Sequence, residues 1–233
     1  MPTASSPSAH RLHEAPLVPA TGLRWYLAAE FALLFVGLPL LLYTQRMHLD
    51  GLIAPILMGL ALGCGALLYY DRSFDRTRLW NRAAARSHLG TVGRFFLAGG
   101  ALTVLIVAAL RPDLLLSFPR EHPRLWLIIV CTYPVVSVYP QEVIFRAFLF
   151  HRYDALFPQR ATKIAVSGVA FGLAHIVFAN WTAPLMTAVS GWVLGYRYTR
   201  SHSTLLVTVE HGLWGAFAFT IGLGWYVYSG AIG

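Results

Sequence analysis

Three short stretches place groups able to do chemistry inside an otherwise apolar chain: "QEVIFR" at 141–146, "FGLAH" at 171–175 and "VEHGLWG" at 209–215. An ionisable side chain at membrane depth costs about 2.5–3.5 kcal/mol on insertion scales, so such residues are rare and usually functional. Glu142 and Arg146 are four apart. On a helix they share a face with the glutamate N-terminal, the favoured order for an ion pair. Such a pair also suits a purely structural role, joining two helices with its charges neutralised. His175 stands one turn beyond Phe171 on the same face. His211 follows Glu210, whose side chain points about 100° away around the helix. Either histidine alone reads as a hydrogen-bonded core residue.

The set says more than its members. One carboxylate, one guanidinium and two imidazoles on three separate runs can bind and activate water, the minimum for general-base hydrolysis with a stabilised oxyanion. Two histidines and a glutamate also form a known catalytic zinc set, so zinc on Glu142, His175 and His211 is the alternative to a site without metal or other cofactor. The sequence has no HExxH helix and no serine or cysteine in a nucleophile's context. Cys64 and Cys131 sit singly in apolar runs and read as buried thiols.

The elements that position these groups must be membrane helices. Of the 233 residues 57% are hydrophobic and 12% charged, with a mean hydropathy of +0.58, a composition that excludes an ordinary soluble domain. Apolar runs at 25–44, 51–70, 95–110, 125–150, 164–180, 183–199 and 204–232 approach or exceed the length of a span. The expected fold is therefore all-α, a polytopic integral membrane bundle of about seven to eight transmembrane helices. The 125–150 run contains Pro134 and Pro140 and is expected to kink or split, and the last run to break near Gly222 or Gly224. Gly59/Gly63, Gly168/Gly172 and Gly191/Gly195 offer close helix approach. Residues 1–22, rich in Pro, Ser and Ala, read as a disordered cytoplasmic tail ahead of a membrane domain over 23–233.

Charge placement orients the bundle. With the tail cytoplasmic, 13 of the 18 basic residues fall on that side, six of them in 71–94. The net charge of +8 follows from this topology, so nucleic acid is excluded as a partner. The lipid bilayer is the partner the composition demands. Glu30, one turn past Trp25, reads as a structural group snorkelling to the interface. Lys163 is the only lysine among 18 basic residues, an arginine bias that points to a GC-rich bacterial genome and hence a bacterial inner membrane.

The three stretches, in this order and on successive late runs, resemble the CPBP family, the membrane endopeptidases that process CAAX proteins and bacteriocins and include the Abi proteins and the type II prenyl-protein protease. The family pattern is EExxxR, then FxxxH, then a histidine often followed four residues later by asparagine, and the likeness covers about 125–220. The resemblance implies endoproteolysis of a peptide or membrane-protein substrate within the membrane, with a glutamate and a histidine activating water. Arg146, His175 with Phe171, and His211 match the family positions. Two positions depart: the first glutamate is Gln141, and the third-motif asparagine is Gly215. An amide orients water without taking its proton. These departures assign base duty to Glu142, with Glu210 as a helper, and leave backbone N–H groups as the oxyanion donors near Gly215.

Three functions compete: an intramembrane endopeptidase, a catalytically silent relative that binds peptides as a scaffold or immunity protein, and an ion-binding transporter. The third is weakened because the polar residues gather in the late spans without repeat symmetry. The first is preferred because a silent relative has no evident need for Arg146, His175 and His211 together.

Overall fold

The computed structural model describes residues 21–49 and 51–227; the expected tail lies, as far as residue 20, outside the described residues. Eight helices follow: α1 (Thr21–Thr44), α2 (Ile53–Tyr70), α3 (Arg82–Leu110), α4 (Ser117–Glu121), α5 (Pro123–Arg152), α6 (Arg160–Ala174), α7 (Thr182–Ser201) and α8 (Thr204–Thr220). Among the described residues there is no strand. Against an expectation of about seven to eight spans, five helices are long and apolar enough to cross a membrane: α1, α2, α3, α5, and α6 with its closing turn to Phe178. Helix α7 carries Arg197 and Arg200 among several hydroxyls, and α8 has only 17 residues. The protein is a polytopic helical membrane protein. Leu33, Leu62, Leu97, Leu105 and Leu110 point outward from the bundle, as a lipid-facing surface requires. Cys131 is exposed on the same outer surface, contrary to the expected burial, whereas Cys64 is buried.

Polar contacts gather one end of the bundle. Glu30 on α1 accepts from Arg152 Nε and Nη2, both at 2.9 Å, and from the Tyr153 hydroxyl at 3.0 Å. It is thus a clamp on the end of α5 rather than a lone snorkelling group. His151 Nε2 meets Asp71 Oδ2 at 2.9 Å. Hydrogen bonds from the Ser73 hydroxyl, and then from His151, hold the Asp71 carboxyl well below the usual carboxylate range. Arg160 Nε donates to Thr199 Oγ1 at 2.9 Å, and Ser203 Oγ to the Asn81 carbonyl at 3.0 Å. The starts of α1, α3, α6 and α8 therefore meet the ends of α2, α5 and α7 at the arginine-rich end.

The two interior prolines of α5, Pro134 and Pro140, do not split it. Neither can donate to the preceding turn, and the backbone answers with wide, π-type turns at Pro134–Val138 and Val143–Phe148. In these the Tyr139 N–H reaches the Pro134 carbonyl and the Leu149 N–H the Ile144 carbonyl. Such bulges rotate the side chains on either side relative to a regular helix and are common at functional sites. Helices α6 and α7 cross where glycines let their backbones touch. A Cβ on Gly191 would sit 2.9 Å from Gly168 Cα, and one on Gly172 would sit 2.7 Å from the Pro184 carbonyl. Gly59 and Gly63, by contrast, face open space and make no such crossing. Helix α8 stops at Thr220, and Gly222, at φ +90, turns the chain into a short 3-10 turn at Leu223–Val227.

The shared polar end predicts that positions 82 and 200 lie on one side of the membrane, the cytoplasmic one. Single cysteines at Arg82→Cys and Arg200→Cys, in a Cys131→Ser background, should both label with an impermeant maleimide from that side in oriented vesicles. Labelling from opposite sides would refute the topology.

Candidate active site

The first wide turn of α5 separates Tyr133 from Gln141 and Glu142, and the second begins immediately after Glu142. Glu142 has no exposed surface, and neither has Arg146. The Arg146 guanidinium Nε lies 3.2 Å from Glu142 Oε2, within ion-pair distance but off the line of a hydrogen bond. On its other oxygen Glu142 accepts from His211 Nδ1 at 2.7 Å. Arg146 Nη2 also reaches the Gly191 carbonyl at 3.5 Å, which the close Gly168–Gly191 crossing brings within range. The Phe171 ring lies 4.7 Å from the Arg146 guanidinium carbon and stacks edge-on against both His175 and His211. A buried charge persists only when paired and bonded, and this carboxylate has a cation on one oxygen and an imidazole N–H on the other.

His175 sits where α6 gives way to a 3-10 turn, and its Nδ1 donates to the Phe171 carbonyl at 2.7 Å. That bond fixes the ring and turns Nε2, in the neutral imidazole, into an acceptor. The same reasoning holds for His211, whose Nδ1 proton goes to Glu142. His211 Nε2 receives the Tyr133 hydroxyl at 3.2 Å.

Both histidines line one cavity of about 490 Å³, with Tyr133, Phe171, Trp214 and Gly215. Leu185 and Val189, also on its wall, are exposed on the outer surface of α7, so the cavity reaches the lipid-facing side of the bundle. His175 also borders a second cavity, of about 140 Å³, shared with Ser137 and Gln141. Glu142 and Arg146 line neither and act from behind His211.

Of the sequence-identified residues, Glu142, Arg146, Phe171, His175 and His211 converge. Gln141 lies on the far side of His175 from the larger cavity, its amide donating to Ser137 Oγ at 2.7 Å while Oε1 has no hydrogen-bond partner. Glu210 does not join the site: Arg197 holds it in a bidentate pair at 2.8 and 3.1 Å. The space beside Gly215 is filled by the Tyr133 ring. Tyr133 and Arg197 were not identified from sequence. A hint of Tyr133 lay in Gly215 itself, because a missing side chain in a packed interior must be compensated from elsewhere.

The donors do not suit zinc. Glu142, the carboxylate of the zinc set, is bonded directly to His211 and lines neither cavity, and no three His, Cys, Asp or Glu side chains among the described residues are grouped to hold a metal ion.

The fold and site define a helical membrane protein with a carboxylate–histidine site buried between α5, α6 and α8. The family model described as type II CAAX prenyl endopeptidase Rce1-like matches residues 122–217, so this segment is similar to the Rce1-like domains of the CPBP protease family. It spans α5 to α8 and contains every residue of the site. No curated protein and no solved structure gives a match.

Removing the guanidinium strands Glu142 in a low-dielectric interior. Arg146→Ala should cost roughly 3–5 kcal/mol, far more than Gln141→Ala, read as thermal melting in detergent. An Arg146→Ala protein that melts like the parent would disprove the pairing.

Proposed function

We propose that this protein is an intramembrane endopeptidase that hydrolyses a peptide or membrane-protein substrate with water activated by the Glu142–His211 pair and His175. The observation that carries the reading is that two histidines, each with Nδ1 already bonded, line one cavity while a buried carboxylate orients the second of them. A carboxylate behind a histidine fixes its tautomer and stabilises the imidazolium that forms on proton transfer, the logic of hydrolytic triads. Arg146 pairs with Glu142 and holds it in place.

In the reaction, His211 Nε2 takes a proton from a water that His175 Nε2 positions. The water oxygen bonds to the scissile carbonyl carbon, and the carbonyl electron pair moves onto oxygen. The imidazolium then returns its proton to the amide nitrogen as the carbon–nitrogen bond breaks, leaving an acid and an amine. No step passes through a metal. A cavity that reaches the lipid-facing surface suits a substrate whose apolar segment arrives from the bilayer. A second reading, a silent relative that binds peptides without cleaving them, is favoured by Gln141, which stands where the family pattern has a glutamate.

Glu142→Gln is isosteric but leaves Arg146 without a counter-charge, so it should lower the melting temperature, and the folded protein should turn over about 10²–10⁴ more slowly. His175→Ala and His211→Ala should be comparably damaging. Peptide libraries presented to the protein in liposomes provide the assay. Parental cleavage that survives all three substitutions would refute the site. Cleavage absent from the parent and gained in Gln141→Glu would establish the silent reading.

A further inference from the structure

Tyr133 has a polar contact that packing alone does not require. Its ring lies edge-on to Phe219 and His211, and its hydroxyl, on the wall of the 490 Å³ cavity, is 3.2 Å from His211 Nε2. With His211 Nδ1 donating to the Glu142 carboxylate at 2.7 Å, Nε2 of the neutral ring has only a lone pair. The phenol is therefore the donor in this contact. The same nitrogen is the one that must face water for His211 to act as a base. At rest, the phenol O–H bonded to Nε2 occupies the position that the water takes during reaction.

The position is built by a glycine on another helix. A Cβ at Gly215 would fall 2.2 Å from Tyr133 Cε1 and 2.9 Å from its hydroxyl oxygen. No L side chain at 215 is compatible with the ring where it lies. At Gly212, one turn earlier on α8, a Cβ would meet Pro134 at an ordinary 3.5 Å. The specific steric demand is thus at 215, on the cavity wall, and its beneficiary is the phenol. The wide turn at Pro134–Val138 follows Tyr133 directly and sets the phenol's angular position relative to Glu142 on the same helix.

Building on the hydrolase reading, we propose that Tyr133 is the oxyanion donor of this site, a catalytic residue supplied by α5 into space that Gly215 leaves open. In the free protein the hydroxyl rests on His211 Nε2. When a peptide carbonyl enters, the hydroxyl turns to the carbonyl oxygen, freeing Nε2 for water. The bond strengthens as charge grows on that oxygen during attack, so the donation is worth more in the transition state than in the ground state. Arg146 is not available for this duty, being committed behind Glu142 and lining neither cavity.

The test uses the full-length protein in liposomes, with a cleaved peptide as substrate and the matching peptidyl phosphonate, a tetrahedral anionic analogue, as a binding probe. Tyr133→Phe keeps the ring and removes only the donor. It should lower kcat by about 10²–10³ with KM nearly unchanged, and weaken phosphonate binding far more than binding of the uncleaved peptide. Gly215→Ala should lower both the melting temperature and kcat by displacing the ring. A Tyr133→Ala/Gly215→Asn pair, with an amide in the vacated space, should recover stability and part of the turnover. Full kcat and unchanged phosphonate affinity in Tyr133→Phe would overturn the proposal while leaving the hydrolase reading intact. A parent that cleaves nothing and shows no preference for the phosphonate would overturn both. Loss of the fold in Tyr133→Phe would show a packing role and overturn the assignment, unless the Ala/Asn pair remained folded and active.

Discussion

Glu142 is a carboxylate with no exposed surface, held between a guanidinium four residues along its own helix and an imidazole from α8. Burying such a charge is strongly unfavourable unless it is paired and bonded, so the surrounding structure is constrained to supply both partners at once. Arg146 can reach Glu142 because the two share a face of α5. His211 can reach it only if α8 packs against α5 at that level. The crossing of α6 on α7 then closes the shell, bringing the Gly191 carbonyl toward Arg146 Nη2 and the Phe171 ring over the guanidinium. Even so, Glu142 Oε2 and Arg146 Nε and Nη1 make no hydrogen bond to a protein group. Orphan groups of this kind are costly.

The irregular backbone of α5 is the second constraint, and it follows from the first. A regular helix would place Tyr133, Gln141, Glu142 and Arg146 at fixed 100° steps. The wide turns after Pro134 and Glu142 break this spacing, so that Tyr133 faces His211 while Gln141 faces Ser137 and the smaller cavity. Wide turns also leave carbonyls less well bonded, and the Phe145 carbonyl accepts the Ser167 hydroxyl at 3.0 Å, tying α6 to the second of them. The irregularity is thus fastened from a neighbouring helix, as backbone departures at membrane depth must be.

Two ion pairs near each other in sequence do different work. Glu210 and His211 are adjacent, yet they point to opposite partners. Arg197 from α7 clamps Glu210 in two hydrogen bonds and braces α7 against α8. His211 faces the cavity. The 100° step between neighbours on a helix is the whole reason. It gives α8 one face braced against α7 and one on the cavity within a single dipeptide.

The sequence by itself determined the class of the protein and the polar groups buried within it. Apolar run lengths fixed an all-helical membrane bundle, arginine placement identified the end where Asn81 meets Ser203 and Glu30 meets Arg152, and helical spacing foretold the Glu142–Arg146 pair. These are local regularities, set by periods of 3.6 residues and by the cost of charge in lipid. What only the tertiary structure decided were relations between helices. That Glu142 stands behind His211 rather than on the cavity, that Glu210 belongs to Arg197, and that Gly59 and Gly63 make no helix crossing while Gly168 and Gly191 do, all depend on which faces meet. The Tyr133–Gly215 contact is of the same kind. Residues 133 and 215 are linked by no local period, and their contact follows from how α5 and α8 pack around a carboxylate that cannot be left alone.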